Sequence, residues 1–222
     1  MTRLPCEYIL HTRRCVNTLS SILKARITIR GIRPLLWCHF GLDAIPLEKR
    51  EKTGVAGNDP QEWHRTVLAT KEGQLYLEPS YVFACIRDGA RYTKKGRGSI
   101  QTTVAATLQV TENRVLVDRF LPENIENLTN EVDEPVYLDV RSVKNPSTKG
   151  RNLRYRVAAS PGWSTSFSLL WDKTMVSRNE MKASLVDAGR FSGLGDGRAI
   201  GFGRFEVLSF DIEEDAETQT AS

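Results

Sequence analysis

The sequence predicts an α+β fold: a βαββαβ core with an antiparallel sheet, enlarged by β-hairpin insertions. Segments that alternate apolar and polar residues, as strands do, recur along the chain. Two segments with helical spacing, residues 78–89 and 177–189, separate these strand-like segments. Short polar turns join several neighbouring strands, as in antiparallel hairpins. The order of elements is therefore strand, helix, several strands, helix and strand.

The first strand is predicted within residues 24–36. Its apolar and polar side chains alternate along the chain, so they point to opposite faces of a sheet. One face carries Ala25, Ile27 and Ile29, and the other carries Arg26, Thr28 and Arg30. We therefore expect one buried face and one cationic face.

The middle of the chain supplies the first helix and further strands. A short strand precedes the helix over residues 78–89, which has Pro79 in its first turn. Residues 91–98 form a basic loop with one aromatic residue. A hairpin made of residues 102–110 and 114–117 is predicted to follow.

A second hairpin and a long strand come next. Residues 136–143 and 153–159 are predicted to pair, with Arg154 and Arg156 on one face of the hairpin. Residues 163–171 alternate bulky side chains with mostly serines, so they form a strand. Its bulky residues are Trp163, Thr165, Phe167, Leu169 and Trp171. The tryptophans are core residues or, together with Tyr92, a platform on which bases stack.

The second helix and the last strand flank a glycine-rich segment. Ser177 and Glu180 form a capping box at the start of the helix, and Gly189 is predicted to end it. The apolar face of the helix consists of Met181, Leu185 and Ala188. Residues 204–210 alternate as a strand, with Phe205 and Val207 on one face.

Residues 193–203 read GLGDGRAIGFG, in which two Gly-apolar-Gly pairs bracket five residues that include one cation. Glycines allow a positive φ and the close approach of another backbone, and successive amides in such a turn can form a nest for an anion. Loops that bind dinucleotides or nucleoside triphosphates have the opposite order, strand before helix, which argues against those ligands. The candidate nucleic-acid-binding residues of the loop are Gly193, Gly195, Gly197, Arg198, Gly201 and Gly203.

This loop, between a helix and the last strand, resembles the glycine-rich loop of the RAMP superfamily. These CRISPR-associated RNA-binding proteins have RRM-like (ferredoxin-like) folds, and the chain is most similar to their effector-complex backbone subunits. Residues 187–207 and residues 27–36 also resemble a related phage-encoded family. The resemblance implies an RRM/ferredoxin-like core, binding of single-stranded RNA, and self-association of copies along the strand.

Further cations are predicted to contact nucleic acid across an open sheet face and from two loops. Contacts with phosphates add affinity and salt dependence without reading sequence. The predicted contacts are Arg26 and Arg30 on the first strand, Arg91, Lys94, Lys95 and Arg97 in the basic loop, and Lys149, Arg151, Arg154 and Arg156 in the second hairpin.

The distribution of charge supports a polyanion partner. The net charge is +4 and the pI is about 8.9. Residues 141–171 contain six cations and no acid, whereas residues 205–222 contain six acids and no cation. Such asymmetry is typical of a polyanion-binding surface next to an acidic tail.

The cysteines and the hydropathy exclude several classes of protein. Cys6, Cys15, Cys38 and Cys85 lack the close pairing of a zinc site, and a disulfide framework is unexpected at this length. We expect no metal and no cofactor. No apolar run reaches the roughly 18 residues of a membrane helix, so we expect no membrane partner and a cytoplasmic location.

The predicted organisation is an N-terminal extension (residues 1–22), one RRM-like domain (residues 23–212) and an acidic tail (residues 213–222). The domain carries insertions near residues 43–74 and 91–134.

The predicted function is binding of single-stranded nucleic acid through its backbone, with RNA favoured over DNA. The protein would be a non-catalytic subunit of a guide-RNA or phage nucleoprotein complex, alongside further copies and other subunits. One alternative is a metal-independent endoribonuclease of the same superfamily, with His39 as the general base. Another is a phage protein that binds a host complex, such as a CRISPR effector.

Overall fold

The computed structural model of the protein describes residues 21–39, 61–124, 128–144 and 149–213. Nearly all of the predicted N-terminal extension and acidic tail lie outside the described residues, as do residues 43–60 of the first predicted insertion.

The described residues form strands and helices in a mixed order. The strands are β1 (Ile22–Gly31), β2 (Leu35–Leu36), β3 (Gln74–Leu77), β4 (Lys94–Lys95), β5 (Gly98–Ser99), β6 (Gln109–Val110), β7 (Val115–Phe120), β8 (Val136–Lys144), β9 (Arg151–Ala159), β10 (Ser164–Asp172) and β11 (Phe205–Glu213). The helices are α1 (Glu62–Thr66), α2 (Pro79–Gly89), α3 (Gln101–Thr107) and α4 (Arg178–Asp187), with a π-helical turn (Ala188–Ser192) and a 3₁₀ turn (Arg198–Ile200).

The main sheet has the strand order β11-β1-β10-β7-β3, and every pair in it is antiparallel. The connection from β1 through α2 to β7 passes the position of β10, which is inserted between those two strands. The core strands in chain order are β1, β7, β10 and β11. Across the sheet they follow the order β11, β1, β10, β7, which is fourth, first, third and second in the chain. The predicted α+β class with an antiparallel sheet is confirmed, and this order is compatible with a ferredoxin-like core.

One face of the main sheet forms the core together with α2 and α4. Ala25, Ile27 and Ile29 of β1 are fully buried in it, as the alternation predicted. Trp163 and Trp171 are also fully buried, so of the two alternatives the core role is confirmed and the stacking role is wrong. Their indole Nε1 atoms donate to backbone carbonyl oxygens, which satisfies the one polar group of each ring.

A smaller sheet has the order β2-β9-β8 and confirms the second predicted hairpin. Its register runs from Val136 opposite Ala159 to Lys144 opposite Arg151. Residues 145–148 of its turn lie outside the described residues.

The first predicted hairpin is wrong. Residues 101–107 form α3, and β6 and β7 both pair with β10 instead of with each other. Ile100, Val104 and Leu108 are buried at a spacing of four residues, which is the spacing of one helix face. This tertiary packing overrides the strand preference of the neighbouring threonines.

The end of the second helix also differs from the prediction. The capping box of Ser177 and Glu180 is present. The helical conformation, however, does not end at Gly189. It continues as the π-helical turn and ends before Gly193, where φ is +85°. Gly189 is required for a different reason, because a Cβ there would lie 2.3 Å from the carbonyl oxygen of Phe205.

A bulge in β11 explains its burial pattern. Ile29 pairs with Val207 and Thr28 pairs with Ser209, so Leu208 has no partner on β1. The extra residue lets Phe205 and Phe210, five positions apart, both pack in the core. In the part of the chain that the structure describes, no helix is long and apolar enough to cross a membrane.

Candidate nucleic-acid interface

The glycine-rich loop adopts the backbone conformation that its composition predicts. Its five glycines all have a positive φ, between +67° and +93°. The two Gly-apolar-Gly pairs meet, because Leu194 N donates to Gly203 O at 2.9 Å. Gly203 N donates to Pro34 O, and Asp196 N donates to Leu36 O, so the loop packs on the segment that follows β1. A Cβ on Gly203 would lie 1.8 Å from Leu194 O, which only glycine avoids.

The centre of the loop retains amide groups for a ligand. Among the described residues, no backbone hydrogen bond is made by the amides of Gly195, Gly197, Arg198 and Ala199. All four residues line an open cavity of about 530 Å³. Unpaired amides in a glycine-rich turn are the donors of an anion nest.

The cavity lies between the glycine-rich loop and the segments that follow α2 and α4. Its remaining lining residues are Asp88, Arg91, Tyr92, Phe191, Ser192 and Asp196. The rings of Tyr92 and Phe191 have centroids 4.8 Å apart and an interplanar angle of 48°. Each side chain is close to half exposed, at 44% and 49%. Two adjacent aromatic rings and the backbone of the glycine-rich loop therefore line the same cavity.

Ion pairs attach the loop to its surroundings on both sides. Arg198 Nη1 lies 3.3 Å from Asp88 Oδ2 at the end of α2. On the other side, Arg156 Nη1 donates to Asp196 Oδ2 at 2.7 Å. Arg156 is 5% exposed and also bonds to Asp139. It therefore has no face open to a phosphate, and its predicted role as a phosphate contact is wrong.

The basic loop forms a small hairpin, β4–β5, next to the cavity. Thr93 Oγ1 donates to Asp187 Oδ2 and holds its base on α4. Lys95 Nζ lies 3.2 Å from Glu180 Oε1. Lys94 and Arg97 are exposed, and within the described ranges neither forms an ion pair. The same is true of Arg91, which lines the cavity two residues before the hairpin.

The open face of the main sheet is not cationic. Arg26 Nη1 lies 2.9 Å from Glu112, Arg30 Nη2 lies 2.8 Å from Glu206, and a third pair joins Lys24 with Glu213. Each cation of β1 thus lies against a carboxylate, and hydroxyl groups occupy the positions between, as in the bond between Thr28 and Ser166. The expectation of a cationic face is wrong because acids distant in the chain compensate it.

The remaining candidates lie away from the 530 Å³ cavity. Lys149 and Arg151 are exposed at the far end of the β8–β9 hairpin, and Arg154 Nη2 lies 3.3 Å from Cys38 Sγ. Gly201 lines a separate cavity of about 410 Å³ with Arg33 and Arg141. The structure thus brings Gly195, Gly197, Arg198 and Arg91 together at one cavity, which the cations of β1 and of the β8–β9 hairpin do not line.

Comparison with known proteins finds similar solved structures and no sequence relative. No protein-family model matches the chain, and no curated protein matches it. A solved structure that is similar to it is the cryo-EM structure of the type III-B Cmr-beta bound to cognate target RNA, with a TM-score of 0.44 and 9% sequence identity. The similarity covers 87% of this chain and 61% of that chain, so this chain spans less than two thirds of its length.

His39 is held in a hydrogen-bonded pair. Its Nδ1 lies 3.0 Å from the hydroxyl of Tyr81, and its Nε2 lies 3.6 Å from Glu78 Oε1. Burial, followed by the negative charge of Glu78, raises the pKa of Tyr81 to about 12, so this hydroxyl remains protonated at neutral pH. Both ring nitrogens of His39 thus lie near polar groups of the protein itself.

Sequence analysis missed half of the residues that line the cavity: Asp88, Phe191, Ser192, Asp196 and Ala199. Phe191 lies between Arg190 and Ser192, directly before the glycine-rich loop, and it is exposed next to Tyr92. A bulky apolar residue among polar neighbours at the end of a helix was the available signal. That Phe191 lies next to Tyr92 depends on how α2 and the π-helical turn after α4 pack.

Proposed function

We propose that the protein binds single-stranded nucleic acid, preferring RNA, through the sugar–phosphate backbone and without catalysis. In this proposal it acts as a subunit of a nucleoprotein complex, with copies side by side along the strand. The observation that carries the proposal is a cavity lined by unbonded loop amides and by Arg91, with further exposed cations in the hairpin that follows Arg91 in the chain. Gly195, Gly197 and Ala199 supply the amides, and Arg91 with the β4–β5 hairpin supplies the cations.

The charges of this region suit a phosphate backbone. Lys94 and Arg97 carry full charges in solvent with no ion pair in the described parts of the chain, so a phosphate displaces no internal partner from them. The neighbouring amides provide directed donors at the same edge. Binding by such contacts depends on counterion release, so affinity falls as salt rises.

The salt dependence of two matched double variants separates this proposal from non-specific electrostatic attraction. We would measure fluorescence anisotropy of labelled single-stranded RNA, single-stranded DNA and duplex RNA over a potassium chloride series with EDTA. The test variant is Lys94→Ala with Arg97→Ala, and the control is Lys71→Ala with Lys173→Ala. The control removes the same charge from exposed lysines that do not line the cavity.

The expected result is tight single-strand binding that weakens with salt. Loss of two phosphate contacts lowers the magnitude of the slope of log K against log salt by about 1.4 in the test variant, and the control retains the wild-type slope. Equal slopes in both double variants would contradict the assignment of the hairpin. No binding at low salt would overturn the proposed function, and cleaved RNA on a gel would favour the endoribonuclease.

A further inference from the structure

The cavity next to the glycine-rich loop contains more than a phosphate site requires. Its volume of about 530 Å³ lies within the roughly 300–1,000 Å³ range of small-molecule sites. Its charged lining residues are Asp88, Asp196, Arg91 and Arg198, so the formal charges cancel. A site for phosphate alone has an excess of cations. A neutral group with a polar edge suits this lining better.

The two adjacent aromatic rings indicate a flat ligand. Tyr92 and Phe191 are both close to half exposed, and their rings lie together at 4.8 Å between centroids. Every nucleobase has a π-face that stacks on such rings, and one stacked base contributes roughly tenfold or more to affinity. The four tryptophans of the chain are an informative contrast, because those at positions 37, 63, 163 and 171 are all buried.

The two carboxylates of the cavity are not equivalent. Asp88 accepts from Arg87 through Oδ1 and from Arg198 through Oδ2. Asp196 accepts from buried Arg156 through Oδ2, while its Oδ1 has no hydrogen bond to any residue that the structure describes. The side chain of Asp196 is 41% exposed. Arg156 thus holds this carboxylate in position and leaves an acceptor open to the cavity.

An oriented carboxylate selects among the bases. It only accepts hydrogen bonds, and guanine alone presents two adjacent donors, N1–H and the N2 amino group, on one edge. Arg198 and Arg91 line the same cavity and supply donors of the kind that bind guanine O6 and N7. Adenine and cytosine offer one donor beside an acceptor, and uracil offers one donor between two acceptors.

We propose that this cavity binds one unstacked guanine base, with its ring on Tyr92 and Phe191 and its N1–H and N2 edge on Asp196. The base comes from the bound strand, in which case the inference rests on the proposed function, or from a free guanine nucleotide. The protein then reads one position of a strand that it otherwise holds by phosphates.

Two probes distinguish these sources. The first is a set of oligouridine RNAs that carry a single central guanine, adenine or cytosine, measured by competition against labelled oligouridine. The second is free GMP or AMP, measured by isothermal titration calorimetry. The variants are Phe191→Leu and Asp196→Asn, with Phe120→Leu as the matched control, because Phe120 is 55% exposed on β7 and does not line the cavity.

A single guanine is expected to raise affinity about tenfold over oligouridine, because the edge contact with Asp196 discriminates among the bases. Phe191→Leu should remove most of this gain, and Phe120→Leu should retain it. Asp196→Asn should bind guanine and adenine oligonucleotides equally. If Asp196→Asn fails to fold, as judged by circular dichroism, Phe191→Leu still tests the site.

The outcomes for the two proposals differ. Salt-dependent binding with equal affinity for all four bases overturns the guanine site and leaves the proposed function standing. Calorimetric binding of GMP over AMP without binding of any strand supports the guanine site and overturns the proposed function. If Phe191→Leu and Phe120→Leu bind the guanine-containing oligouridine with equal affinity, the proposed guanine site is overturned.

Discussion

Arg156 on β9 donates from Nη2 to Asp139 Oδ2 on β8 at 3.0 Å, and only 6% and 4% of the two side chains are exposed. The other amino group of Arg156 bonds to Asp196 in the glycine-rich loop. One buried guanidinium therefore joins the smaller sheet to the loop that lines the cavity. It orients the loop instead of contacting a ligand.

Arg156→Met should destabilise the protein by about 3 kcal/mol, because it leaves Asp139 buried without its buried partner. Asp139 keeps a bond from Arg141 at 2.6 Å, so we expect the low end of the range for broken buried pairs. Urea unfolding measures the free energy. The control, Arg151→Met on the exposed part of the same strand, should cost less than about 0.5 kcal/mol. Equal losses in the two variants would refute a structural role of the buried pair.

Gly203→Ala should prevent the glycine-rich loop from closing. Its φ is +67° and the new Cβ would collide with Leu194 O, so we expect a loss of at least about 3 kcal/mol. Gly201 also has a positive φ, but a Cβ there would meet open space, so Gly201→Ala should cost about 1–2 kcal/mol of stability. Gly98→Ala has open space and no positive φ, so it should be close to neutral. Thermal melts should rank the three variants in this order, and any other order would contradict the loop geometry.

Ser177→Ala should weaken the start of α4. Ser177 Oγ accepts from the amide of Glu180, and the Glu180 carboxylate accepts from the amide of Ser177. Loss of this cap should cost about 1 kcal/mol and lower the melting temperature by about 2–4 °C. Asn179→Ala changes an exposed neighbour in the same turn and should not lower the melting temperature. If the cap does not stabilise the protein, Ser177→Ala and Asn179→Ala will have the same melting temperature.

Stability should fall in acid partly through Glu180. The backbone amide of Ser177, and then the Ser177 hydroxyl and Lys95, hold the pKa of this carboxyl below its usual 4.5. A lowered folded pKa adds stability that is complete above the unfolded pKa and is lost as the pH falls through the folded pKa. We would measure urea unfolding from about pH 6 to about pH 3. The free energy of unfolding of the wild type should exceed that of Glu180→Gln near pH 6, and the difference should disappear near pH 3. If the difference in the free energy of unfolding stays constant over this range, the charge of Glu180 does not contribute to stability. Glu123→Gln serves as the exposed control.

Local patterns predicted the elements that local chemistry controls. The alternation of β1 and β10, the pairing of β8 with β9, the proline at the start of α2 and the capping box of α4 are all present. Each depends on residues within a short stretch of the chain, up to 23 positions for the β8–β9 hairpin, so a window of sequence contains the cause. The segment that became α3 was misjudged because Thr102 and Thr103 favour strands locally, whereas packing of Val104 on α2 decides the outcome.

The candidate site was predictable only in part. The glycines with a positive φ and the basic segment after α2 were visible in the sequence, because backbone conformation and charge are properties of single residues. The sequence by itself thus determined β1, β10, the β8–β9 hairpin, the starts of α2 and α4, and the glycine-rich turn. The tertiary structure decided which charges remain available. Arg30 meets Glu206, and Arg156 meets Asp139 and Asp196, whereas Lys94 and Arg97 meet no acid in the described chain. Ion pairs depend on distances of a few ångströms between residues far apart in the chain, and only the folded chain establishes those distances.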